Sequence, residues 1–484
     1  MSKALLSEPV RCFSRTIEPP IDRSGLRRAV AAFPDGVMLE SVAVGPSFGR
    51  YSVYALEPVR VRVTGRGDPF DLMNRTFRPW SPVISDVDLA FPPGWIGYLS
   101  YESGRFVEPT GSCRRLNHPL PIACWSLFDT WLVHDSVEGQ WKAVATELPA
   151  RVARCERPPA SARLDSLEQF AREVKPGGLG RHGPAADHVA GRWNTSRFEY
   201  VEKVRRALDY VRAGDIYQVN IARRYRAPLQ WHPIEVYQRL CESNPAQYAA
   251  YLPVRQSATA GMARAILSSS PELFLGVCGR DVVTRPIKGT RPRVGEGEAD
   301  RAARSMLAAS EKDRAELNMI IDLERNDLGR VCEYGSIRVE SDGELETLPT
   351  VFHRTATVVG RLRDDADCID LARAAFPGGS ITGAPKVRAM QIIDELEPDP
   401  RGPYCGAIGY IGLDGRMRLN LAIRTISVVD GHAEVAVGSG IVADSDPDEE
   451  FRETQAKARG MLSALGVEPA LESPGRRPAD GCVA

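Results

Sequence analysis

The chain has 484 residues, enough for two or three average domains, and its 43% hydrophobic and 26% charged residues are typical of a globular protein. Its formal net charge of -1 excludes the strong basic field with which many proteins recruit nucleic acid. No apolar run reaches the roughly 18 residues of a membrane span, the first 20 residues lack the apolar core of a signal peptide, and ten cysteines without a Cys-x-x-Cys pair favour reduced thiols in the cytoplasm.

Composition divides the chain into five regions. We expect residues 1–20 to form an N-terminal extension. Short alternating runs at residues 37–44, 51–54 and 59–63 predict half-buried strands in the region that covers 21–156. Proline and glycine clusters predict a linker at 157–194, with a short helix around 164–174.

The region at 195–465 combines helices and strands. Thr195 or Ser196 caps a predicted helix whose apolar residues recur at three- and four-residue steps, and Gly214 ends it. Residues 215–222 then predict a buried strand. The tail at 466–484 is rich in proline, glycine and arginine and is predicted to be disordered.

Lys288 is the first residue whose setting indicates chemistry. It stands between an apolar residue and a glycine, where the chain leaves a predicted strand. Burial and neighbouring cations lower the pKa of a lysine, and a fall of about two to three units makes such an amine a useful nucleophile near neutral pH. Taken alone, a surface lysine in a turn is the commoner interpretation.

Glu316 lies on a helix predicted for residues 311–329, one turn before Ile320 at the edge of the apolar face. It is either a rim charge in an ion pair, which is the commoner case, or a ligand for a hard cation such as Mg²⁺.

A helix predicted to begin at Pro447 carries Glu450, Glu453 and Lys457 on one face, because they are three and four residues apart. These residues form either a solvated ladder of ion pairs, the commoner case, or part of a metal site.

Two glycine-rich segments are candidates for binding an anion. Residues 376–388 form a loop rich in glycine and hydroxyl groups that leads into a predicted helix near Pro385, and a helix N-terminus binds anions well. The turn at 437–441 could offer backbone amides to a carboxylate. The alternative for both segments is a tight turn without a ligand.

Taken in chain order, these motifs resemble the chorismate-utilising enzymes, the family of the anthranilate, aminodeoxychorismate, isochorismate and salicylate synthases. The resemblance spans residues 197–460 and is looser in the N-terminal region, where residues 39–41, 49–52 and 95–102 carry it. The matching segments are residues 214–220, 266–274, 286–290, 313–316, 322–330, 376–386, 401–410, 422–425 and 438–457.

The resemblance implies an α/β (α+β) fold, in which two antiparallel sheets pack together with helices outside and chorismate in the central cleft. It implies that Glu316 and Glu453, supported by Glu450, hold Mg²⁺, and that Glu272 is the general acid for the departing 4-hydroxyl. A site that binds a dianion and expels hydroxide needs clustered cations and a proton donor. The implied substrate-binding residues are Gly289, Thr290, His353, Thr382, Tyr410, Arg424, Gly438, Gly440 and Lys457.

Two positions imply a branch of the family. Isochorismate and salicylate synthases have a water-activating lysine where this chain has Gln218, and anthranilate synthases usually have alanine where it has Lys288. The resemblance is therefore to the large subunit of aminodeoxychorismate synthases, transferases of 4-aminobenzoate and folate biosynthesis. In that branch the lysine is proposed to attack ring C2 with loss of the 4-hydroxyl, after which ammonia adds at C4.

The alternatives are an anthranilate synthase component I and a non-catalytic chorismate-binding paralogue. The chain has no Gly-x-Cys-x-Gly elbow of a glutaminase, so a separate glutamine amidotransferase subunit is expected to supply ammonia. Two departures from the family pattern are Glu324, where a leucine is usual, and the segment at 244–248, which lacks the tryptophan-binding sequence. Feedback inhibition by tryptophan is therefore not expected.

Overall fold

The computed structural model describes residues 10–18, 20–43, 49–77, 83–85, 91–108, 110, 118–148, 152, 156–177, 191–254, 264–293 and 295–467. The helices are α1 (Arg23–Ala31), α2 (Pro69–Phe77), α3 (Ala160–Glu173), α4 (Arg197–Arg212), α5 (Pro233–Ser243), α6 (Glu298–Ala309), α7 (Glu311–Gly329), α8 (Cys368–Ala375), α9 (Lys386–Leu396) and α10 (Pro447–Ala464). Short 3₁₀ helices lie at Tyr101–Phe106 and Gly379–Ile381. Within these ranges, no helix is long and apolar enough to cross a membrane.

The strands are β1 (Val10–Ile17), β2 (Val37–Glu40), β3 (Tyr51–Ala55), β4 (Arg60–Thr64), β5 (Val83–Ser85), β6 (Gly94–Leu99), β7 (Ala123–Leu127), β8 (Thr130–Asp135), β9 (Gln140–Glu147), β10 (Arg192–Trp193), β11 (Gln218–Pro228), β12 (Tyr248–Pro253), β13 (Ala265–Ser270), β14 (Leu273–Cys278), β15 (Asp281–Arg285), β16 (Ile287–Pro292), β17 (Arg338–Thr347), β18 (Val351–Arg361), β19 (Gly383–Ala384), β20 (Ala407–Gly412), β21 (Met417–Leu421), β22 (Thr425–Val429) and β23 (His432–Ile441).

These strands form two large sheets. The first has 13 strands, in the order β10-β11-β23-β22-β13-β12-β2-β3-β8-β9-β1-β5, with β19 beside β11. The second has ten, in the order β16-β18-β15-β14-β21-β20-β6-β7-β4, with β17 beside β18. The described neighbours run antiparallel except for β1 and β5, which are parallel. The predicted fold class, two antiparallel sheets with outer helices, is confirmed.

The N-terminal and C-terminal regions of the chain share both sheets. In the first sheet Leu39 of β2 lies opposite Ala250 of β12, and in the second Gly97 of β6 lies opposite Gly409 of β20. One apolar core between the sheets also takes residues from both regions. The regions therefore interleave, and neither has a sheet of its own.

Two segments that were predicted to lie outside the fold belong to it. Residues 10–17 of the predicted N-terminal extension form β1, which pairs along its length with β9. The predicted linker at 157–194 contains α3, whose buried Leu164 and Leu167 join the apolar layer on the outer face of the first sheet. Arginines interrupt the apolar positions of β1 and hide this strand in the sequence. The short helix predicted around 164–174 is confirmed as α3. Residues 178–190 of the linker and 468–484 of the tail lie outside the described residues.

Three of the helices begin where the sequence predicts. Ser196 caps α4 through a reciprocal bond with Glu199, Ser310 caps α7, and Asp446 caps α10 ahead of Pro447. The strand β11 begins at Gln218, three residues later than predicted, because residues 215–217 complete the turn out of α4.

The buried carboxylate of Glu40 connects β2 to α1, β3 and α5. Glu40 of β2 accepts hydrogen bonds from Arg27 Nε at 2.9 Å, Tyr54 Oη at 2.7 Å and Tyr237 Oη at 2.8 Å. The charge of Arg27 and these three donors hold the pKa of Glu40 below its ordinary value, although burial alone would raise it.

Replacing Glu40 by alanine is expected to lower the free energy of unfolding by about 3–5 kcal/mol, because the nearly buried guanidinium of Arg27 loses its counter-ion. Urea denaturation measures the change. Glu138→Ala is the matched control: its ion pair with Arg50 is exposed and 3.7 Å long, so the loss is expected to stay below about 1 kcal/mol. Equal losses in the two variants would contradict a structural role for the buried cluster.

Candidate active site

The two predicted catalytic groups meet at one serine. Glu272 lies between β13 and β14, and the hydroxyl of Ser380 donates a hydrogen bond to its Oε1 at 2.7 Å. The carbonyl of the same Ser380 accepts a hydrogen bond from Lys288 Nζ at 3.1 Å. Residue 380 therefore connects the predicted acid to the predicted nucleophile, although the sequence drew attention to the loop and not to this residue.

Glu272 is suited to hold a proton near neutral pH. Its side chain is buried, and burial raises its pKa from 4.5 to about 7, against the opposing effects of the Ser380 hydrogen bond and the charge of Lys288. A carboxyl group of this kind can donate a proton to a departing oxygen, which an exposed glutamate cannot do at this pH.

A local irregularity of β16 positions Lys288. The pairing of β16 with β18 shifts register between Ile287 and Thr290, and Gly289 inside this bulge has a φ of +82°. A Cβ at Gly289 would lie 2.8 Å from the carboxyl carbon of Asp313 and 2.8 Å from a methyl carbon of Leu307, so a larger residue would clash with both side chains. The bulge interrupts the alternation of the strand and re-aims its side chains, a common function of bulges beside active sites.

His353 and Arg424 form a second group. His353 is buried on β18, and its Nδ1 lies 2.8 Å from the hydroxyl of Thr290, the residue opposite it in β16. Burial and the charges of Arg424 and Arg285 lower the pKa of His353 to about 3, so the imidazole is neutral at physiological pH.

Arg424 has the properties of an anion-binding residue. Its side chain is largely desolvated, which lowers its pKa, and among the described residues no carboxylate forms an ion pair with it. Its NH1 donates a hydrogen bond to Asn244 Oδ1 at 3.1 Å. A desolvated guanidinium without a protein counter-ion is a favourable partner for a substrate carboxylate.

The predicted metal ligands lie on α7 and α10. Burial raises the pKa of Glu316, and the nearby charges of Glu453 and Asp313 add to this effect. Burial also acts on Glu453, but Lys457, whose Nζ is 2.6 Å from its Oε1, outweighs it and the pKa is lowered. The charge of Lys288 acts on Glu272, Glu316 and Glu453 alike. The lysine and the three glutamates therefore form one electrostatic cluster.

The donor set of α7 and α10 suits Mg²⁺ only in part. Within the described ranges, no three or more histidine, cysteine, aspartate or glutamate side chains are grouped as a complete metal site. Glu450 is buried and accepts a hydrogen bond from Ser445 Oγ at 2.7 Å, while Lys312 lies 3.6 Å from it. Glu316 and Glu453 remain, and one or two carboxylates completed by substrate and water are what Mg²⁺ usually takes.

The glycines of β23 accommodate two side chains of β11. Gly438 and Gly440 lie opposite Ala222 and Asn220, and a Cβ at these glycines would come within 2.5 Å of Asn220 Oδ1 and 2.7 Å of Gln218 Nε2 respectively. Both amide ends of Gln218 and Oδ1 of Asn220 are buried without a hydrogen-bond partner among the described residues. Lys457 Nζ donates to the Gly438 carbonyl at 3.0 Å.

Two predicted substrate-binding side chains are turned elsewhere. Tyr410 points into the core between the sheets, where its hydroxyl donates to the Pro92 carbonyl and its ring packs edge-on against Phe91 and Trp131. This setting contradicts its predicted contact with the substrate, because a motif does not tell on which face of β20 a tyrosine lies. The hydroxyl of Thr382 donates to the Gly378 carbonyl at 2.9 Å and thus supports its own loop.

A buried carboxyl that the sequence marked only as a departure lies close to the site. Glu324 on α7 accepts a hydrogen bond from Thr284 Oγ1 at 3.0 Å. Burial first, and then the charge of Glu272, raise its pKa well above the ordinary range. The sequence did contain a signal for this residue, because Glu324 stands where the family usually has a leucine. It could not show that the side chain faces Glu272.

Replacing Glu272 by glutamine is expected to stabilise the protein relative to the parent as the pH rises. Because the folded pKa is raised from 4.5 to about 7, the stability that this proton contributes is complete below about pH 4.5 and is lost towards pH 7. Between about pH 4 and about pH 8 the difference between variant and parent should change by up to about 3 kcal/mol in favour of the variant. Chemical unfolding at both pH values measures it, with exposed Glu311→Gln as control; a pH-independent difference would refute the raised pKa.

Comparison with known proteins places these observations in a family. Residues 54–463 match the family described as chorismate binding enzyme. The chain is 39% identical over 441 residues to anthranilate synthase component 1 of Streptomyces coelicolor, covering 89% of this chain and 83% of that protein. It is 36% identical over 460 residues to aminodeoxychorismate synthase component 1 of Bacillus subtilis, covering 89% of this chain and 91% of that protein.

Solved structures share the fold. The crystal structure of anthranilate synthase component I from Streptococcus pneumoniae TIGR4 aligns with a TM-score of 0.73 and 28% identity, over 85% of this chain and 92% of that one. The menaquinone-specific isochorismate synthase of Escherichia coli aligns with a TM-score of 0.70 and 16% identity, over 94% of both chains. The similar relatives are named for two different enzymes, but a single family model matches most of the chain. The protein belongs to the chorismate-binding enzymes and is related to enzymes that act on chorismate.

Proposed function

We propose that the protein is the large subunit of an aminodeoxychorismate synthase, which converts chorismate and ammonia to 4-amino-4-deoxychorismate through Lys288. The observation that carries the proposal is the connection of this amine to a proton-holding carboxyl through Ser380. A covalent displacement at an allylic alcohol needs these two groups, a nucleophile and an acid for the leaving oxygen, in one site.

Chorismate carries two carboxylates, and the cations of the site divide between them. Arg424, desolvated and without a described counter-ion, would bind the enolpyruvyl carboxylate with the neutral imidazole of His353 beside it. Lys457 would add positive charge from α10. The ring carboxylate would then face α7 and α10, and C4 with its hydroxyl would face Glu272.

The proposed reaction has two displacements. After its ammonium group gives up a proton, the amine of Lys288 bonds to C2. Both ring double bonds shift, C1=C2 to C1=C6 and C5=C6 to C4=C5, and the C4–O bond breaks while Glu272 transfers its proton to the oxygen, which leaves as water. Ammonia then bonds to C4, both double bonds shift back, and the C2–N bond breaks to release Lys288 as the amine. The proton lost by the new ammonium group returns to Glu272, so the net reaction exchanges ammonia for water.

Mg²⁺ is the proposed cofactor, held by Glu316 and Glu453, with Glu450 supporting them from α10. When bound, it would supply positive charge that stabilises the ring carboxylate of chorismate. The ion pair between Lys457 and Glu453 at 2.6 Å would have to loosen as the metal binds, which leaves Lys457 available to the substrate.

We further propose that ammonia comes from a separate glutamine amidotransferase subunit, and that the complex acts in the cytoplasm in 4-aminobenzoate and folate biosynthesis. The chain itself has no nucleophile elbow for hydrolysing glutamine. The identities to relatives named aminodeoxychorismate synthase component 1 support the proposal, and those to relatives named anthranilate synthase component 1 support the alternative product.

The test of the proposal is the product. Purified protein with chorismate, Mg²⁺ and an ammonium salt at alkaline pH, where more ammonia is free, is expected to form 4-amino-4-deoxychorismate, measured as 4-aminobenzoate after a lyase is added. Fluorescent anthranilate would instead assign the chain to the other branch.

Lys288→Ala and Lys288→Arg should both lower the rate of 4-amination by at least about 100-fold. Alanine removes the amine, and arginine keeps the charge but cannot be deprotonated to act as a nucleophile. Full activity of Lys288→Arg would exclude a nucleophilic role and leave Lys288 only the role of a cation that binds substrate.

Mg²⁺ is expected to raise the Tm of the protein in the presence of chorismate, because a ligand that binds only the folded state stabilises it. Glu316→Gln should abolish most of this increase, since it removes one of the proposed ligands. Differential scanning calorimetry provides the measurement, and Glu311→Gln, an exposed glutamate on the same helix, is the matched control. An undiminished rise of Tm in Glu316→Gln would exclude this glutamate as a ligand.

A further inference from the structure

The surroundings of Arg424 form a closed ring of hydrogen bonds with two other residues. Arg424 NH1 donates to Asn244 Oδ1 at 3.1 Å. The backbone N–H of Ser269 donates to the Arg424 carbonyl at 3.0 Å, and the hydroxyl of Ser269 donates to the Asn244 carbonyl. Arg424 itself has a φ of +51°, an uncommon conformation for a residue with a side chain. Both ends of the arginine are thus held.

Asn244 is in turn fixed to α5 and α10. Its backbone N–H ends α5 by donating to the Leu240 carbonyl at 2.9 Å. Its Nδ2 donates to Ser243 Oγ at 3.2 Å, and that hydroxyl donates to the carbonyl of Gly460 in α10 at 3.0 Å. A Cβ at Gly460 would lie 2.0 Å from Nδ2, so the glycine allows α10 to lie directly against the amide.

The segment after Asn244 is anchored to the N-terminal region as well. The Ala246 carbonyl accepts hydrogen bonds from the backbone N–H groups of Val42 and Ala43, both at 2.9 Å. The hydroxyl of Ser41 donates to the Gln247 carbonyl at 3.2 Å. Asn244 therefore has a position determined by three separate parts of the chain, which is what a group that orients another side chain requires.

We infer that Asn244 is a positioning residue for chorismate, whose amide oxygen holds the guanidinium of Arg424 in the orientation that receives the enolpyruvyl carboxylate. The inference rests on the proposed function, since it takes chorismate as the anion that Arg424 binds. An arginine side chain has many rotamers, and fixing one before the ligand arrives avoids part of the entropic cost of binding. The acceptor is uncharged, so it orients the guanidinium without neutralising it.

Asn244→Ala is expected to raise the KM and the Kd for chorismate by about tenfold, equivalent to about 1.4 kcal/mol, and to change kcat by less than about threefold. Steady-state kinetics give KM and kcat, and calorimetric titration with chorismate and Mg²⁺, without an ammonia source, gives Kd. Both constants can be measured from chorismate itself, whichever amino product forms. Circular dichroism and thermal unfolding verify that the variant is folded.

Two further variants separate orientation from packing. Ser243→Ala removes the hydroxyl between Asn244 and Gly460 but keeps the bond to Arg424, so the Kd is expected to stay within about twofold of the parent. Asn244→Asp places a carboxylate against Arg424 that competes with the substrate, so chorismate should bind more weakly than to Asn244→Ala. Parent-like affinity in Asn244→Asp would overturn the inference.

The decisive measurement is the effect of Asn244→Ala on the Kd for chorismate in a protein that lacks the Arg424 side chain. In an Arg424→Ala background, Asn244→Ala should leave the Kd for chorismate unchanged, because its effect acts through Arg424. An equal loss in both backgrounds would make Asn244 a merely structural residue. If Arg424→Ala itself left the Kd unchanged while the parent still aminated chorismate, the inference would fail and the proposed function would stand. If the parent did not bind chorismate, both would fall.

Discussion

The site depends on a single lysine held among three glutamates. Lys288 is bonded to the Ser380 carbonyl, and its charge acts on Glu272, Glu316 and Glu453, which come from a strand junction and two different helices. Such a concentration of charge is stable only when it is balanced and anchored, since burying an unpaired ion costs several kcal/mol. Ser380 supplies the anchor, because its backbone and its hydroxyl contact opposite members of the cluster.

The architecture buries Glu272 and leaves Glu453 partly open to solvent. The strands on either side of this cluster belong to sheets that contain both halves of the chain, so the site is surrounded by continuous hydrogen-bonded structure. Some of the irregularities of the fold lie at this site, namely the bulge at Gly289 and the left-handed backbone of Arg424. The glycines of β23 leave room there for the side chain of Asn220. Local strain at functional positions is tolerated because a rigid scaffold surrounds it.

Sequence and structure disagree where a side chain could face either way. Tyr410 stands in a matching motif, but β20 turns it towards the core. Glu324 looked like a tolerated departure, but α7 turns it towards Glu272. Alternation along a strand and the rotation of a helix are known from sequence only relative to an apolar face, and β20 is buried on both faces. The strand β1 was missed for a related reason, since its arginines mask the apolar positions.

Caps and periodicity are short-range properties, and they were sufficient to predict the capped helices α4, α7 and α10. The class of the fold came from the resemblance to a known family. The roles proposed for Lys288, Glu272, Glu316 and Glu453 also rest on that resemblance. Only the tertiary structure decided that Ser380 joins the acid to the amine and that Asn244 holds Arg424. These contacts link residues 108 and 180 positions apart. Pairings at such separations depend on how sheets and helices pack, and no local pattern records them.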